Sequence, residues 1–318
     1  MRDAVADAPP ELAGLHVLAL EVAADGAQVW PAVALDALRR SHRPITAVVR
    51  IDGSRPLAEL SLAPLVEVLA TWREAGVEVA GVEIDHDCAT AALADYATWL
   101  VRARVPGVRW SITALPTWTG SAALARVIAA VDEVVLQVHA IRAPTIFEPH
   151  QARRWVDAFA TAMAGRPFRV AVPTYRVELG EAEPRMVAGF VHELAGAAVP
   201  GLRGIVWFRL PVASDRATWR TATLRGAITG APLVADVRVH VAPRGPGVFD
   251  IVLANDGTLD ARYPGVWLEG SADLVAGYKF DHDHMRWNAP ARVIAAGETT
   301  VIGWVTRKDK ELPYVEIW

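Results

Sequence analysis

Cys88 is the only cysteine among 318 residues. No intrachain disulfide can form, so the fold rests on its core, and cysteine usage says nothing about the compartment. Long apolar runs are missing as well: none approaches the roughly 20 residues of a membrane span. The amino terminus has no basic segment leading into an apolar one, so no signal peptide is read there. One-sided charge is also absent, since 32 Lys and Arg stand against 36 Asp and Glu for a net charge of −4. With its cations scattered, the chain lacks the basic footprint of a nucleic-acid partner or an anionic-membrane binder. No Gly-rich phosphate loop follows the first predicted strand, which argues against an open dinucleotide-binding sheet. Neither internal repeats nor low-complexity segments occur.

What is present is a large apolar fraction, 53%, enough to bury a sizeable core. Twelve Trp against seven Phe is an unusual balance, and Trp faces stack readily on flat ligands such as sugar rings. From Leu15 to about Leu210, strand-like runs alternate with helix-like stretches. The predicted strands are Leu15–Val22, Ile45–Asp52, Val77–Asp87, Trp110–Pro116, Glu133–Ala140, Phe168–Tyr175 and Gly204–Leu210. Most are near-continuous Val, Ile, Leu and Ala, the pattern of parallel strands covered on both faces. Between them Ala89–Arg104 and Pro149–Ala164 place apolar residues at helical spacing.

Polar and aromatic residues gather at the carboxyl ends of these strands: Glu21, Asp52, Asp87, Trp118, His139, Tyr175 and Arg209. A barrel collects its site residues in that way. The expected fold is therefore α/β, a (β/α)8 TIM-type barrel over residues 1–230. Only seven strands are read, and Arg2–Ala8 looks like the middle of a helix, so the barrel is expected to lack its first strand, through a late-assigned start or a seven-stranded variant. Past Gly230-Ala231-Pro232 the pattern changes to short strands with Asn255-Asp256-Gly257 as a turn. An all-β sandwich over residues 231–318 is expected.

The segment Gly81-Val82-Glu83-Ile84-Asp85-His86-Asp87-Cys88 carries the sharpest chemical signal. Side chains at alternate positions of a strand share a face, about 7 Å apart, so Glu83, Asp85 and Asp87 form one acidic row. Desolvation and mutual repulsion both oppose ionising such a row. Glycoside cleavage needs that combination of one protonated acid and one ionised group. Asp85 and Asp87 are the expected catalytic pair, with Glu83 as a third member. Trp207 and Trp118 are candidates for the floor of a sugar subsite. Tyr175 and Gln137 could hydrogen-bond a hydroxyl or N-acetyl group, and His139 could serve as a base or ligand. Arg50 and Arg209 are candidates to orient the carboxylates or to meet an anionic sugar. The plainer alternative is that the acids pair with Arg50, Arg209 or backbone N–H groups and plug the barrel, and that the Trp residues are core.

No metal or other cofactor is expected. In Asp85-His86-Asp87, His86 points away from both Asp residues if the strand is regular. Asp281-His282-Asp283-His284 sits beside Lys279 and Arg286, as a solvated loop would. Cys88 has no evident base nearby and reads as a small buried residue.

Five ordered motifs resemble the bacterial family catalogued as domain of unknown function 3142. They are residues 81–88, Ser111–Trp118, Asp132–His139, Pro167–Tyr175 and Gly204–Pro211. The family brings no established activity. Its members carry an upstream strand with a Tyr-Val-Trp-Gln-Arg pattern that this chain lacks, and the loop after Tyr175 is shorter here. More loosely, the chain resembles chitinase-like glycoside hydrolases, which bear Asp-x-Asp-x-Glu on the fourth barrel strand, an aromatic with a polar neighbour on the sixth and a floor Trp on the eighth. The counterparts would be Glu83, Asp85 and Asp87, then Gln137 and His139, then Trp207. Asp87 stands where that pattern has Glu, one methylene shorter. The resemblance implies an exported or envelope-associated protein that binds a polysaccharide or oligosaccharide and hydrolyses it with paired strand-end carboxylates. Two other readings fit the same residues: a non-catalytic carbohydrate-binding barrel, and a structural or partner-binding envelope protein.

Overall fold

In the computed structural model the apolar runs of the first two thirds of the chain lie side by side as parallel strands. The structure describes residues 2–139, 146–177, 180–212, 215, 217–270, 272–277, 279–289 and 292–318. Two compact units divide at 219/220, Met1–Trp219 and Arg220–Trp318.

The first unit opens with α1 (Arg2–Ala6), β1 (Leu15–Val22), β2 (Gln28–Val29), α2 (Leu35–Ser41), β3 (Ile45–Ile51), α3 (Ala63–Glu74) and β4 (Val79–His86). It continues with α4 (Leu93–Ala103), β5 (Arg109–Ala114), α5 (Leu124–Ala129), β6 (Glu133–Gln137), α6 (Pro149–Met163) and β7 (Phe168–Pro173). A two-stranded ribbon of β8 (Arg176–Val177) and β9 (Gly180–Glu181), then α7 (Pro184–Gly196) and β10 (Leu202–Phe208), complete it. The helix starts are written in the sequence. Glu148 and Glu183 cap α6 and α7 by accepting from backbone N–H groups of the first turn, each followed by a proline at the first helical position.

The sheet runs in the order β10-β7-β6-β5-β4-β3-β1-β2. Seven of its strands are parallel, and the short β2 folds back antiparallel on the carboxyl end of β1. Among the described residues β10 and the β1–β2 edge pair with no further strand, so the barrel is open between them. The expected strand count therefore agrees with the sheet, and β2 was not foreseen. The predicted Glu133–Ala140 strand ends at Gln137, and Ala140 lies outside the described residues.

β3 shows how the two faces differ. Ile45, Ala47, Val49 and Ile51 are fully buried against the helix layer, whereas Thr46, Val48 and Arg50 on the other face are only half-buried. That inner face is where polar residues collect. Register aligns Glu21, Arg50, Asp85, Thr113, Val135 and Arg169 in one row across six strands. The row beneath it holds Leu18, Val48, Glu83, Ser111 and Glu133.

The second unit begins with α8 (Thr221–Thr229) and continues with β11 (Val237–Gly245), β12 (Val248–Asn255), β13 (Ala261–Arg262), β14 (Val266–Glu269) and β15 (Leu274–Gly277). Then come β16 (Phe280–Asp281), β17 (Arg286–Trp287), β18 (Val293–Ile294), β19 (Thr299–Thr306) and β20 (Tyr314–Ile317). Two four-stranded antiparallel sheets, β11-β12-β19-β15 and β16-β17-β14-β20, share one core. Phe249, Ile251, Leu253 and Val305 come from the first sheet, and Val266, Leu268 and Trp287 from the second. This is the antiparallel β unit the sequence announced. The helix expected to close the barrel groups with it.

Candidate functional site

The acidic row on β4 changes character from the interior of the sheet to its carboxyl end. Glu83 is deepest, 5% exposed. The Thr113 hydroxyl of β5 donates to its Oε1 at 3.2 Å, and His16 Nδ1 of β1 lies 3.2 Å from its Oε2. Burial, the largest single influence, pulls the pKa of His16 down, but the charge and close polar contact of Glu83, with the charge of Glu133, together outweigh it, so the net direction is up. His16 is therefore the ring partner of the deepest acid.

Asp85 comes next, with its register partner Arg50 on β3 donating from Nη1 to its Oδ2 at 2.5 Å. Burial pushes the Asp85 carboxyl up to about 6; Arg50 opposes this, while Asp87 and Glu83 add repulsion. Asp87 stands just past the end of the strand with its side chain 27% exposed, and Arg50 Nη2 is 3.8 Å from its Oδ2. Its other oxygen, Oδ1, is buried and accepts no hydrogen bond from the described residues. The loop after β3 leans directly on this point: a Cβ at Gly53 would lie 2.4 Å from the Asp87 carbonyl oxygen. Only glycine allows that approach.

A cluster of rings forms beside the carboxyl ends of β6, β7 and β10. His139 stacks on Phe208 with centroids 5.7 Å apart, and Tyr175 meets both edge-on at 5.8 Å. His139 is buried, which drives its pKa down to about 4 against the weaker pull of the Ala171 carbonyl, so the imidazole is neutral at physiological pH. Burial raises the Tyr175 pKa, and the charges of Arg209 and Arg50 lower it in turn. Arg50, the partner of the acids, is thus felt at Tyr175 as well. Gln137, on the inner face, donates to the His139 carbonyl at 3.1 Å and braces the end of β6.

Three expected site residues are placed differently. Trp118 is fully buried in a turn, its Nε1 donating to the Cys88 carbonyl and its ring edge-on to Tyr96. It has no free face for a sugar. Trp207 pairs in register with Val172, on the helix-facing side of the sheet. The inner aromatic of β10 is its neighbour Phe208, 45% exposed. Arg209 ion-pairs with Asp215, not with Asp85 or Asp87.

His86 turns from the acids as the strand pairing requires: it is buried, faces the Ile51 carbonyl and packs edge-on against Tyr96. Burial also lifts the Cys88 thiol to about 11, which removes it as a nucleophile near neutrality. Asp281 accepts from the backbone and ring of His284 in an exposed turn. Among the described residues no three His, Cys, Asp or Glu converge on a metal position.

The chain is thus a parallel α/β unit with acids at one strand end, followed by an antiparallel β unit. Residues 41–183 match the family described as Domain of unknown function (DUF3142), and the first unit contains that domain. Among solved structures the chain is similar to the GH18 chitinase ChiB of Flavobacterium johnsoniae, with TM-score 0.50 and 11% identity over 72% of this chain and 91% of that one. It is equally similar to the spore cortex-lytic enzyme SleL of Bacillus cereus, with TM-score 0.50 and 12% identity over 72% of this chain and 69% of that one. At such identities the likeness speaks for the fold. No curated protein matches the chain.

Proposed function

We propose that the first unit binds a glycan at the carboxyl ends of its strands and cleaves it through Asp87 and Asp85. The observation that carries this reading is the pairing of an acid held up to about 6, Asp85, with a neighbour, Asp87, whose buried oxygen lacks a partner. Asp87, nearest the open end of the strand, faces the leaving oxygen. The pair delivers to that oxygen the proton that Asp85, held up to about 6, keeps beside Asp87, while a water attacks the sugar from the other side. Asp85 and Arg50 set the charge around Asp87. A positioned acid of this kind is worth about 10²–10⁴-fold in rate. Tyr175 and Phe208 supply a wall for the sugar, and neutral His139 fixes the ring that stacks on it. Since the two similar structures are described as a chitinase and a cortex-lytic enzyme, N-acetylated polysaccharides head the substrate panel.

A non-catalytic glycan-binding barrel is the second reading, favoured by Arg50, which already engages both acids without a substrate. A hydrolysis and binding screen over N-acetylated, neutral and uronic polysaccharides, run beside Asp87→Asn, separates the two. Turnover lost in Asp87→Asn with binding retained is the expected result. Binding without turnover in the parent would replace the enzyme by the binding barrel. Neither binding nor turnover over the panel would overturn both.

A further inference from the structure

The outer face of the sheet β16-β17-β14-β20 is not an ordinary solvent face. Strand alternation sends Val266, Leu268 and Trp287 inward to the core and puts Trp267, Glu269 and Arg286 on the opposite side. Tyr314 and Glu316 of β20 lie opposite Glu269 and Trp267 on the same face, and Trp318 follows. The Arg286 guanidinium lies 5.3 Å from the Trp267 ring centroid and 5.2 Å from that of Trp318. The two indoles are 6.0 Å apart, with planes 48° from parallel.

This group is held in place. The Trp318 ring rests on Gly265, where a Cβ would come within 2.2 Å of it, and the Trp318 backbone N–H donates to the Gly265 carbonyl. Trp318 is nevertheless 54% exposed, and Tyr314 is exposed as well. Solvent faces of sheets seldom keep such large rings without a use, and exposed aromatic patches rimmed by polar groups mark binding surfaces. Its charges indicate the ligand. Arg286 is engaged by both rings and by Asp281, while the Glu269 and Glu316 carboxylates have no partner among the described side chains. An anionic ligand would be repelled; a neutral polyol would find hydrogen-bond acceptors beside an apolar ring.

We propose that Trp318, Trp267 and Arg286 form a glycan-binding platform on the second unit, stacking a pyranose ring of a neutral polysaccharide on Trp318 with Glu316 and Glu269 accepting from its hydroxyls. The 48° tilt suits a curved chain better than a flat ribbon. The platform belongs to the second unit alone and holds whether or not the first unit turns a glycan over.

Affinity electrophoresis of the full chain tests it, with gels cast with hydroxyethylcellulose, laminarin or soluble starch as neutral probes and polygalacturonate as the anionic one. All runs are made in an Asp87→Asn background so that the first unit is common to every sample. The expected result is retardation by at least one neutral polymer and roughly tenfold weaker apparent binding in Trp318→Ala, in line with the loss of one aromatic stack. Gly265→Ala keeps both indoles but displaces the ring, and is expected to weaken binding as much. Circular dichroism confirms that each variant is folded. Retardation unchanged in both variants, retardation by polygalacturonate alone, or none with any neutral polymer would overturn the proposal.

Discussion

Replacing Asp85 by asparagine removes a charge that the fold holds at a disadvantage. An aspartate carboxyl raised from 3.8 to about 6 destabilises the folded state by about 3 kcal/mol once ionised, at about 1.4 kcal/mol per pH unit. The sign follows from linkage. Because the folded pKa lies above the unfolded one, the stability is fully present below about pH 4, is lost as pH rises to about 6, and stays lost above that. Asparagine keeps the shape and still offers Oδ1 to Arg50. The pull of Arg50 on the ionised acid is already counted in the rise to about 6; asparagine differs from the neutral acid only in facing Arg50 with an amide, a change of about 1 kcal/mol or less.

The net expectation for Asp85→Asn is a gain of about 2 kcal/mol at neutral pH and nothing, or a slight loss, near pH 4. For a unit of this size that is a rise of about 4–8 °C in melting temperature. Thermal unfolding followed by far-UV circular dichroism, parent beside variant at about pH 4 and about pH 7.5, reads it directly. A difference that is the same at both pH values, or a variant less stable at neutral pH, would refute the account of Asp85 as a strained acid and leave it an ordinary structural ion pair. Stability gained at the expense of turnover is what a working carboxylate predicts.

Gly53→Ala drives a methyl group into the Asp87 carbonyl; a loss of about 1–3 kcal/mol is expected in the same melting assay, with weaker glycan binding because Asp87 is displaced. Phe208→Ala should weaken binding several-fold while lowering the melting temperature little, since the ring is half-exposed; equal binding would remove the ring cluster from the site. Trp118→Ala should do the reverse, destabilising by about 3–5 kcal/mol through the loss of a fully buried ring, and the milder Trp118→Phe should bind as the parent does.

The parallel strands were legible because each is a continuous apolar run that must be covered on both faces, and the three acids were legible because alternate residues of a strand share a face whatever surrounds it. Residues that depend on pairing between strands were not. His16, Thr113 and Arg50 meet the acids only through register, and nothing in one sequence states that Arg50 sits opposite Asp85. β10 illustrates the sensitivity. A register shift between Leu202 and Ile205 puts Phe208 rather than Trp207 on the inner face, and a one-residue slip exchanges the two faces. Trp118 was misplaced for another reason: the chain leaves β5 through a tight turn, Pro116–Trp118, that folds the ring back into the core. In the second unit β20 could have been read, since Tyr314-Val315-Glu316-Ile317 alternates with period two. Strands of two residues, such as β16 and β17, carry no periodicity to read.

The acids differ chiefly in how completely the neighbouring strands satisfy them. Glu83 has the Thr113 hydroxyl on Oε1 and His16 within ion-pair distance of Oε2, although Oε2, too, accepts no hydrogen bond from the described residues. Asp85 has a single strong partner and an elevated pKa. Asp87 has only the distant second nitrogen of Arg50 and an orphaned buried oxygen. Close polar partners therefore thin out along β4 toward the carboxyl end, where a parallel sheet of this kind presents its chemistry. Acids serving only to plug the interior would have no reason to follow that order, because burial is most costly where partners are fewest. The gradient instead leaves the least closely paired carboxylate, 27% exposed, at the end of the row that solvent and substrate can reach.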